Sequence, residues 1–184
     1  YGVPLVGDLY IPKSNKTQLP AVAVSGPFGA VKEQASGRYA QRLAENGFIT
    51  LAFDPSFTGE SGGEARAVAS PDINTEDFSA AVDYLSTRKD VDPNKIGILG
   101  VCGFGGFALN AAANDPRIKA TVTSTMYDMA RVLSKGYFDS MTVEDRQQLR
   151  EALNKQRTKD ALTGTPERAG GLPDKLNGDE PLFV

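Results

Sequence analysis

The stretch Gly97-Ile-Leu-Gly-Val-Cys102-Gly-Phe-Gly-Gly106 decides the fold of this chain. An apolar segment is followed by a glycine-rich turn and then by the alanine-rich run FALNAAAN, which together predict a strand, a tight turn and a helix. Two kinds of site need such a turn. One is a nucleophile elbow, in which a strained turn presents a nucleophilic side chain; the other is a loop that binds the phosphates of a dinucleotide.

The segments around this turn alternate between strand and helix patterns. Gly47 and the residues of the polar loops mark the ends of these segments, and Asn74 with Asp77 three residues later is predicted to cap the second helix. Strands and helices that alternate in these lengths predict an α/β fold, a mostly parallel sheet with helices on both faces. The predicted strands are 7–12, 21–26, 48–53, 96–101 and 118–123, and the predicted helices are 33–46, 74–86 and 104–114.

The character of the sequence changes after the fifth predicted strand. A helix over about 126–140 loosens at Gly136, and Thr142 with Asp145 forms a capping box for a helix to about Ala161. The segment GTPERAGGLPDKLNGDEP, which follows, is typical of a loop. We therefore predict two parts: residues 1–125 form the N-terminal part of the core, and residues 126–184 form a helical lid or insertion with a loop.

The composition narrows the classes of function. The 184 residues suffice for one domain, and the net charge of −3 without basic clusters gives no support to nucleic acid as a partner. With one cysteine and no histidine, neither a disulfide nor a metal site is predicted, and no cofactor is expected. No apolar run is long enough for a membrane span. Both termini suggest a piece of a longer protein, and the expected location is the cytoplasm.

The turn at Cys102 fits a nucleophile elbow in two conflicting registers. Gly100-Val-Cys102 matches the first half of the pattern G-x-nucleophile-x-G, but Phe104 stands where the second glycine belongs. Counting back from Gly105-Gly106 instead places the nucleophile position on Gly103, which has no side chain. Cys102 is therefore a candidate nucleophile, and a small apolar filler at the end of a buried strand is an equal alternative.

The same turn also fits a dinucleotide-binding loop. Gly103-x-Gly105-x-x-Ala108 matches G-x-G-x-x-[GA] between a strand and a helix. The acidic residue expected about 20 positions later is absent, since Ser124 and Thr125 follow the next strand. A nucleotide-binding oxidoreductase is thus the weaker alternative.

Several segments in order resemble the α/β-hydrolase superfamily, and within it the dienelactone-hydrolase-like group. The segments are AVAVSGPFGAVKEQ (21–34), FITLAFDPSFTGESGG (48–63) with the pattern D-x-x-x-x-G-x-S, VDPNKIGILGVCGFGG (91–106), and KATVTSTMYDMARVLSKGYFDS (119–140). The resemblance covers about residues 5–160. It implies cleavage of an ester, lactone or similar acyl bond by a nucleophile, an oxyanion hole and a histidine base held by an acid.

The resemblance also implies roles for particular residues. Cys102 would be the nucleophile, and the oxyanion donors would come from the loop Pro27, Phe28 and Gly29 and from Gly103 or Phe104. The acid and the histidine of the family come from later elements, so a C-terminal segment or a second chain is expected to supply them. The expected ligand is a small acyl substrate, and the residues Tyr127 and Asp128 are pocket candidates.

Other polar residues near the predicted site have simpler interpretations. Asp54 is predicted to cap the turn before Pro55, Glu33 to be a favourable charge in the first turn of its helix, and Ser61 to be a loop serine. Lys32 and Ser25 border the predicted oxyanion loop. A second hypothesis of another class therefore stays open, in which a degenerate hydrolase fold serves as a binding module and Cys102 is only buried.

Overall fold

The computed structural model describes residues 2–167, and the chain divides into two compact units between Met129 and Ala130. Five strands and three helices alternate in the first unit, and two further helices follow. The strands are β1 (Gly7–Tyr10), β2 (Leu19–Ser25), β3 (Ile49–Phe53), β4 (Val91–Val101) and β5 (Ile118–Ser124), and the helices are α1 (Ala35–Glu45), α2 (Pro71–Ser86), α3 (Phe104–Asn114), α4 (Met129–Lys135) and α5 (Val143–Thr163).

The strands form one sheet in the order β1-β3-β2-β4-β5. All neighbouring pairs are parallel except β1 with β3, which is antiparallel. This confirms the predicted α/β class with its mostly parallel sheet. Because β2, β3, β4 and β5 run in the same direction, the loops at their carboxyl ends meet at one edge of the sheet, where ligands bind in such folds.

The sheet is covered on both faces because its central strands are apolar at successive positions. Leu51 and Phe53 of β3 point into a cluster with Phe78 and Leu85 of α2, while Ala52 between them points to a second cluster that includes Ala40 of α1. The helices α2 and α3 thus cover one face and α1 covers the other, as the apolar runs predict.

Two local predictions are wrong. Asn74 does not begin α2: the helix begins at Pro71, which is favoured at a first helical position, and Ser70 precedes it. Asn74 is buried in the first turn instead, where its side-chain oxygen accepts the Ser70 N–H over 2.8 Å. The second wrong prediction is the start of β4, which the sequence predicts at Ile96. The strand begins at Val91, and its register against β2 shifts before Ile96.

The described part of the second unit is helical. Gly136 has φ 72° and ends α4, and Thr142 and Asp145 form the predicted capping box at the start of α5. Leu149 and Leu153 of the predicted narrow apolar face are exposed. Most of the predicted C-terminal loop lies outside the described residues, and the role of this unit as a lid stays a prediction. Among residues 2–167, no helix combines the length and apolar character of a membrane span.

Candidate active site

Cys102 occupies the turn between β4 and α3 in a left-handed backbone conformation. Its φ is 60°, whereas Gly103 has φ −58° and leads directly into the helix. The Cys102 N–H donates to the Ser124 carbonyl at the end of β5 over 2.8 Å, and the Cys102 carbonyl accepts the Gly105 N–H over 3.0 Å. A left-handed conformation costs a residue with a Cβ about 1 kcal/mol or more, so neighbouring contacts impose this turn.

Glycine is required on the strand side of this turn. A Cβ on Gly100 would lie 2.3 Å from the Phe104 carbonyl oxygen, since the first turn of α3 folds back onto the strand. The two registers of the motif can now be distinguished: Gly100 satisfies the glycine position two residues before Cys102. The position two residues after Cys102 is Phe104, and its Cβ fits because Gly26 on the neighbouring loop has none.

The loop Pro27 to Gly29 lies directly against this turn. A Cβ on Gly103 would lie 2.0 Å from Cε2 of Phe28, so the Phe28 ring covers Gly103. The ring also packs edge-on against Phe104 and Phe107, with centroid distances of 5.3 and 5.7 Å. Pro27 has no N–H and cannot donate, which removes it from the predicted oxyanion donors.

The N–H groups of Phe28 and Gly103 are two of the predicted oxyanion donors. Within residues 2–167, neither forms a backbone hydrogen bond. The same packing weakens the dinucleotide alternative, because the space beside Gly103 is filled by Phe28 and the space beside Gly105 by Met126. A pyrophosphate needs those glycine positions to be open to its oxygens.

Asp54 joins the segment after the predicted oxyanion loop to the loop after β3. Its buried carboxylate accepts the backbone N–H of Lys32 over 2.7 Å and that of Glu60 over 2.9 Å. Gly59, with φ 56°, leaves room for this carboxylate, since a Cβ there would lie 2.2 Å from Oδ2. Asp54 therefore does more than cap its own turn at Pro55: it holds two loops together across 22 positions of sequence.

The buried ammonium of Lys32 stands beside this carboxylate. Its Nζ bonds Glu33 over 2.6 Å and also Glu60, and it lies 3.6 Å from Oδ2 of Asp54. The hydrogen bonds to Glu33 and Glu60 raise the pKa of Lys32 despite its burial, so the side chain stays charged. Glu33 precedes α1 and pairs with Lys32, which corrects its predicted place in the first turn of that helix.

The serines near the site use their hydroxyl groups in structural hydrogen bonds. Ser25 donates to the Phe53 carbonyl over 3.0 Å, and Ser61 donates to the Asp54 carbonyl over 2.7 Å while accepting the Val6 N–H. Ser61 is thus a buried loop serine. The motif D-x-x-x-x-G-x-S has a structural explanation at each of its three specified positions.

A cavity of about 370 Å³ opens beside Phe28 and Gly29 of the predicted oxyanion loop. Its wall is mostly apolar, and no sequence motif marks it. Arg66 is the charged residue of this wall, in a glycine-rich loop where no spacing pattern predicted a function for it. The lining residues are Phe28, Gly29, Val31, Pro55, Phe57, Thr58, Gly59, Arg66, Ala67, Val68, Ala69, Asn74 and Phe104.

Tyr127 and Asp128 follow the carboxyl end of β5, on the same edge of the sheet as Cys102. Neither is among the residues that line the cavity beside Phe28, so their role in a pocket stays a prediction. No group of three potential metal ligands lies together among the described residues.

The sheet order and the placement of the loops define this chain as an α/β-hydrolase-fold protein. The α/β hydrolase GrgF from Penicillium has the same architecture, with a TM-score of 0.75 and 25% identity over 91% of this chain and 53% of that one. The chain belongs to the X-Pro dipeptidyl-peptidase (S15) family, whose family model matches residues 1–177. The superfamily prediction is confirmed, and the finer assignment to the dienelactone-hydrolase-like group stays a prediction.

Individual relatives support the same conclusion. Protein PA2218 of Pseudomonas aeruginosa, itself uncharacterized, is 64% identical over an alignment of 185 positions that covers all of this chain and 50% of that protein. Its crystal structure matches with a TM-score of 0.92 and 60% identity over all of this chain and 57% of that one. The thiohydrolase aneE of Aspergillus aculeatus is 35% identical over 122 residues, 66% of this chain and 37% of that protein. The chain therefore spans about half the length, or less, of these curated relatives.

Proposed function

We propose that the protein of which this chain is part cleaves an ester, lactone or thioester bond with Cys102 as the nucleophile. The observation that carries the proposal is the left-handed turn at Cys102, with φ 60° between β4 and α3. A filler residue needs no such conformation, whereas an elbow needs it to lift a nucleophile out of the strand. The relative that is named a thiohydrolase supports acyl cleavage as the reaction class.

In the proposed reaction, Sγ of Cys102 attacks the acyl carbon. The S–C bond forms as the thiol proton moves to a histidine base, and the carbonyl oxygen becomes an oxyanion. The N–H groups of Phe28 and Gly103, which flank the turn, stabilise that charge. The oxyanion collapses and expels the alcohol or thiol, which takes the proton from the histidine. Water then cleaves the acyl-cysteine, with the same histidine as base.

The base must come from outside these 184 residues, since they contain no histidine. We propose that the remaining half of the protein supplies both this histidine and the acid that orients it. The chain alone then binds acyl groups but does not turn them over. If the isolated chain hydrolysed an activated ester and Cys102→Ala abolished that activity, the dependence on the missing half would be wrong.

The test is hydrolysis of p-nitrophenyl butyrate by the full-length protein. Cys102→Ala should lower kcat by at least about 10³-fold, because removal of a nucleophile leaves only the binding contribution. Mass spectrometry of the wild-type protein after rapid acid quenching should detect a butyryl group on Cys102. Unchanged turnover in Cys102→Ala, with no acyl adduct, would support the alternative of a degenerate binding module.

A further inference from the structure

The cavity beside the oxyanion loop has the size and position of an acyl-binding pocket. Its volume of about 370 Å³ lies in the range of small-molecule sites. Phe28 and Gly29 form one part of its wall, and Phe28 also covers Gly103 at the turn. A substrate whose carbonyl oxygen reaches the Phe28 N–H can therefore place its acyl chain in this cavity.

Arg66 brings a positive charge to this apolar wall without an acidic partner. Its Nη1 donates to the carbonyls of Ser61 and Gly63, and its Nη2 donates to that of Gly59. Carbonyl oxygens satisfy donors but do not neutralise the charge. Within residues 2–167 no carboxylate pairs with Arg66, and its Nε–H has no acceptor there.

The neighbouring carboxylates of Asp54, Glu60 and Asp77 already have other partners. Asp54 and Glu60 interact with Lys32, and Asp77 accepts two hydrogen bonds from Ser56, at 2.6 and 2.8 Å. None of these groups is available to neutralise the guanidinium. The Nε–H and one Nη2 N–H of Arg66 donate to no protein acceptor among the described residues. A guanidinium binds a carboxylate best through two such donors.

We propose that this cavity selects acyl groups that end in a carboxylate, and that Arg66 is the residue that binds it. The inference rests on the proposed function, in that the acyl carbon is held beside Cys102. The apolar wall strengthens the pairing, because a charge-assisted hydrogen bond is stronger where water is displaced. The substrate class is thus a monoester or monothioester of a short dicarboxylic acid.

The kinetic test uses the full-length protein and two esters of equal chain length, the p-nitrophenyl monoester of glutarate and p-nitrophenyl valerate. The wild-type kcat/KM should favour the glutarate ester by about tenfold or more, the value of a hydrogen-bonded charge pair. Arg66→Gln should remove that preference. Arg42→Gln, at an exposed ion pair on α1, is the matched control and should leave both rates unchanged.

Arg66→Gln also removes the hydrogen bonds that hold the Gly59–Gly63 loop. A second variant therefore tests the charge of the cavity while leaving that loop intact. Val68→Glu adds a carboxylate to the same cavity wall while Arg66 keeps its carbonyl partners. It should reduce the preference for the glutarate ester at least about fivefold relative to Val68→Gln, which matches it in size. Equal preferences in the wild type, Arg66→Gln and Val68→Glu would overturn the proposal.

A binding measurement separates this proposal from the proposed reaction. Calorimetry of the Cys102→Ala protein with monomethyl glutarate should show binding that weakens about tenfold or more in Cys102→Ala/Arg66→Gln, while methyl valerate should bind equally to both. If Cys102→Ala keeps full turnover, the proposal of Cys102 as the nucleophile fails. The comparison of the two affinities for monomethyl glutarate still tests whether Arg66 binds the carboxylate. Equal affinity of the two proteins for monomethyl glutarate would reject that role.

Discussion

Lys32 and Asp54 contact each other at two points: the backbone N–H of Lys32 donates to Oδ1 over 2.7 Å, and its Nζ lies 3.6 Å from Oδ2. Both side chains are buried, so neither charge is exposed to screening by water. The pair ties the segment that follows the predicted oxyanion loop to the end of β3. The position of Phe28 beside Gly103 therefore depends on a carboxylate that does not line the cavity.

We expect Asp54→Asn to lower the free energy of unfolding by about 2–4 kcal/mol. The amide carries one acceptor oxygen where the carboxylate accepts two backbone N–H groups, and the buried Lys32 loses a negative neighbour. Urea denaturation of the full-length protein measures the loss. Glu76→Gln on the exposed side of α2 is the matched control and should change it by less than about 0.5 kcal/mol. Equal values for the two variants would contradict the structural role of Asp54.

A second prediction contrasts Gly103 with Gly106, three residues later. Gly103→Ala places a Cβ 2.0 Å from the Phe28 ring, so the ring must move and the loop that carries Phe28 moves with it. We expect a loss of about 1–3 kcal/mol in stability and a lower kcat/KM for p-nitrophenyl butyrate. Gly106→Ala, in the first turn of α3, meets no atom within 4 Å and should raise stability by about 0.5–1 kcal/mol. A neutral Gly103→Ala would show that Phe28 does not depend on this contact.

The alternation of strands and helices predicted the architecture, because apolar periodicity is a local property of the chain. The strands at 21–26, 48–53 and 118–123 and the helix that ends before Gly47 all appear within two residues of their predicted ends. The predicted start of α2 is wrong for a local reason, because Asn74 and Asp77 have the spacing of a capping box. In the structure, the Asn74 side chain instead accepts the Ser70 N–H, and the Asp77 carboxylate accepts the Ser56 hydroxyl. Asn and Asp serve both as helix caps and as buried hydrogen-bonding residues, so their spacing alone does not distinguish the two roles.

The site was less predictable, since its geometry depends on residues far apart in sequence. The elbow pattern is broken at Phe104, and only the absence of a Cβ on Gly26, 78 positions earlier, explains how Phe104 fits. No periodicity reveals such a compensation. Arg66 was missed for a similar reason, because its partners are backbone carbonyls and these leave no signature in a sequence.

A third prediction concerns acid stability. The Arg117 side chain and backbone N–H donate to Asp115, the residue that follows α3, and hold the pKa of that carboxyl below its usual range. A lowered pKa in the folded state means that the stabilisation is present above the unfolded pKa of about 4 and is lost as the pH falls through the folded value.

Asp115→Asn should therefore be less stable than the wild type by about 1–2 kcal/mol at pH 7, and the difference should shrink as the pH falls below about 4. Urea denaturation at a series of pH values measures it. Glu76→Gln again serves as the control, with a difference from the wild type that stays small at every pH. A difference that stays constant from pH 7 to pH 3 would show that ionisation of Asp115 contributes nothing.

The last prediction tests the turn at Cys102 itself, independently of any activity. Its φ of 60° penalises every residue with a Cβ, so Cys102→Gly relieves a cost that Cys102→Ala retains. We expect the glycine variant to be more stable than the alanine variant by up to about 1 kcal/mol, because the relief exceeds the entropy cost of glycine. At the exposed helical position Ala113 the order should reverse, with Ala113→Gly less stable than the wild type by about 1 kcal/mol. If glycine lowered stability at both positions, the left-handed turn would be absent, and with it the main support for Cys102 as the nucleophile.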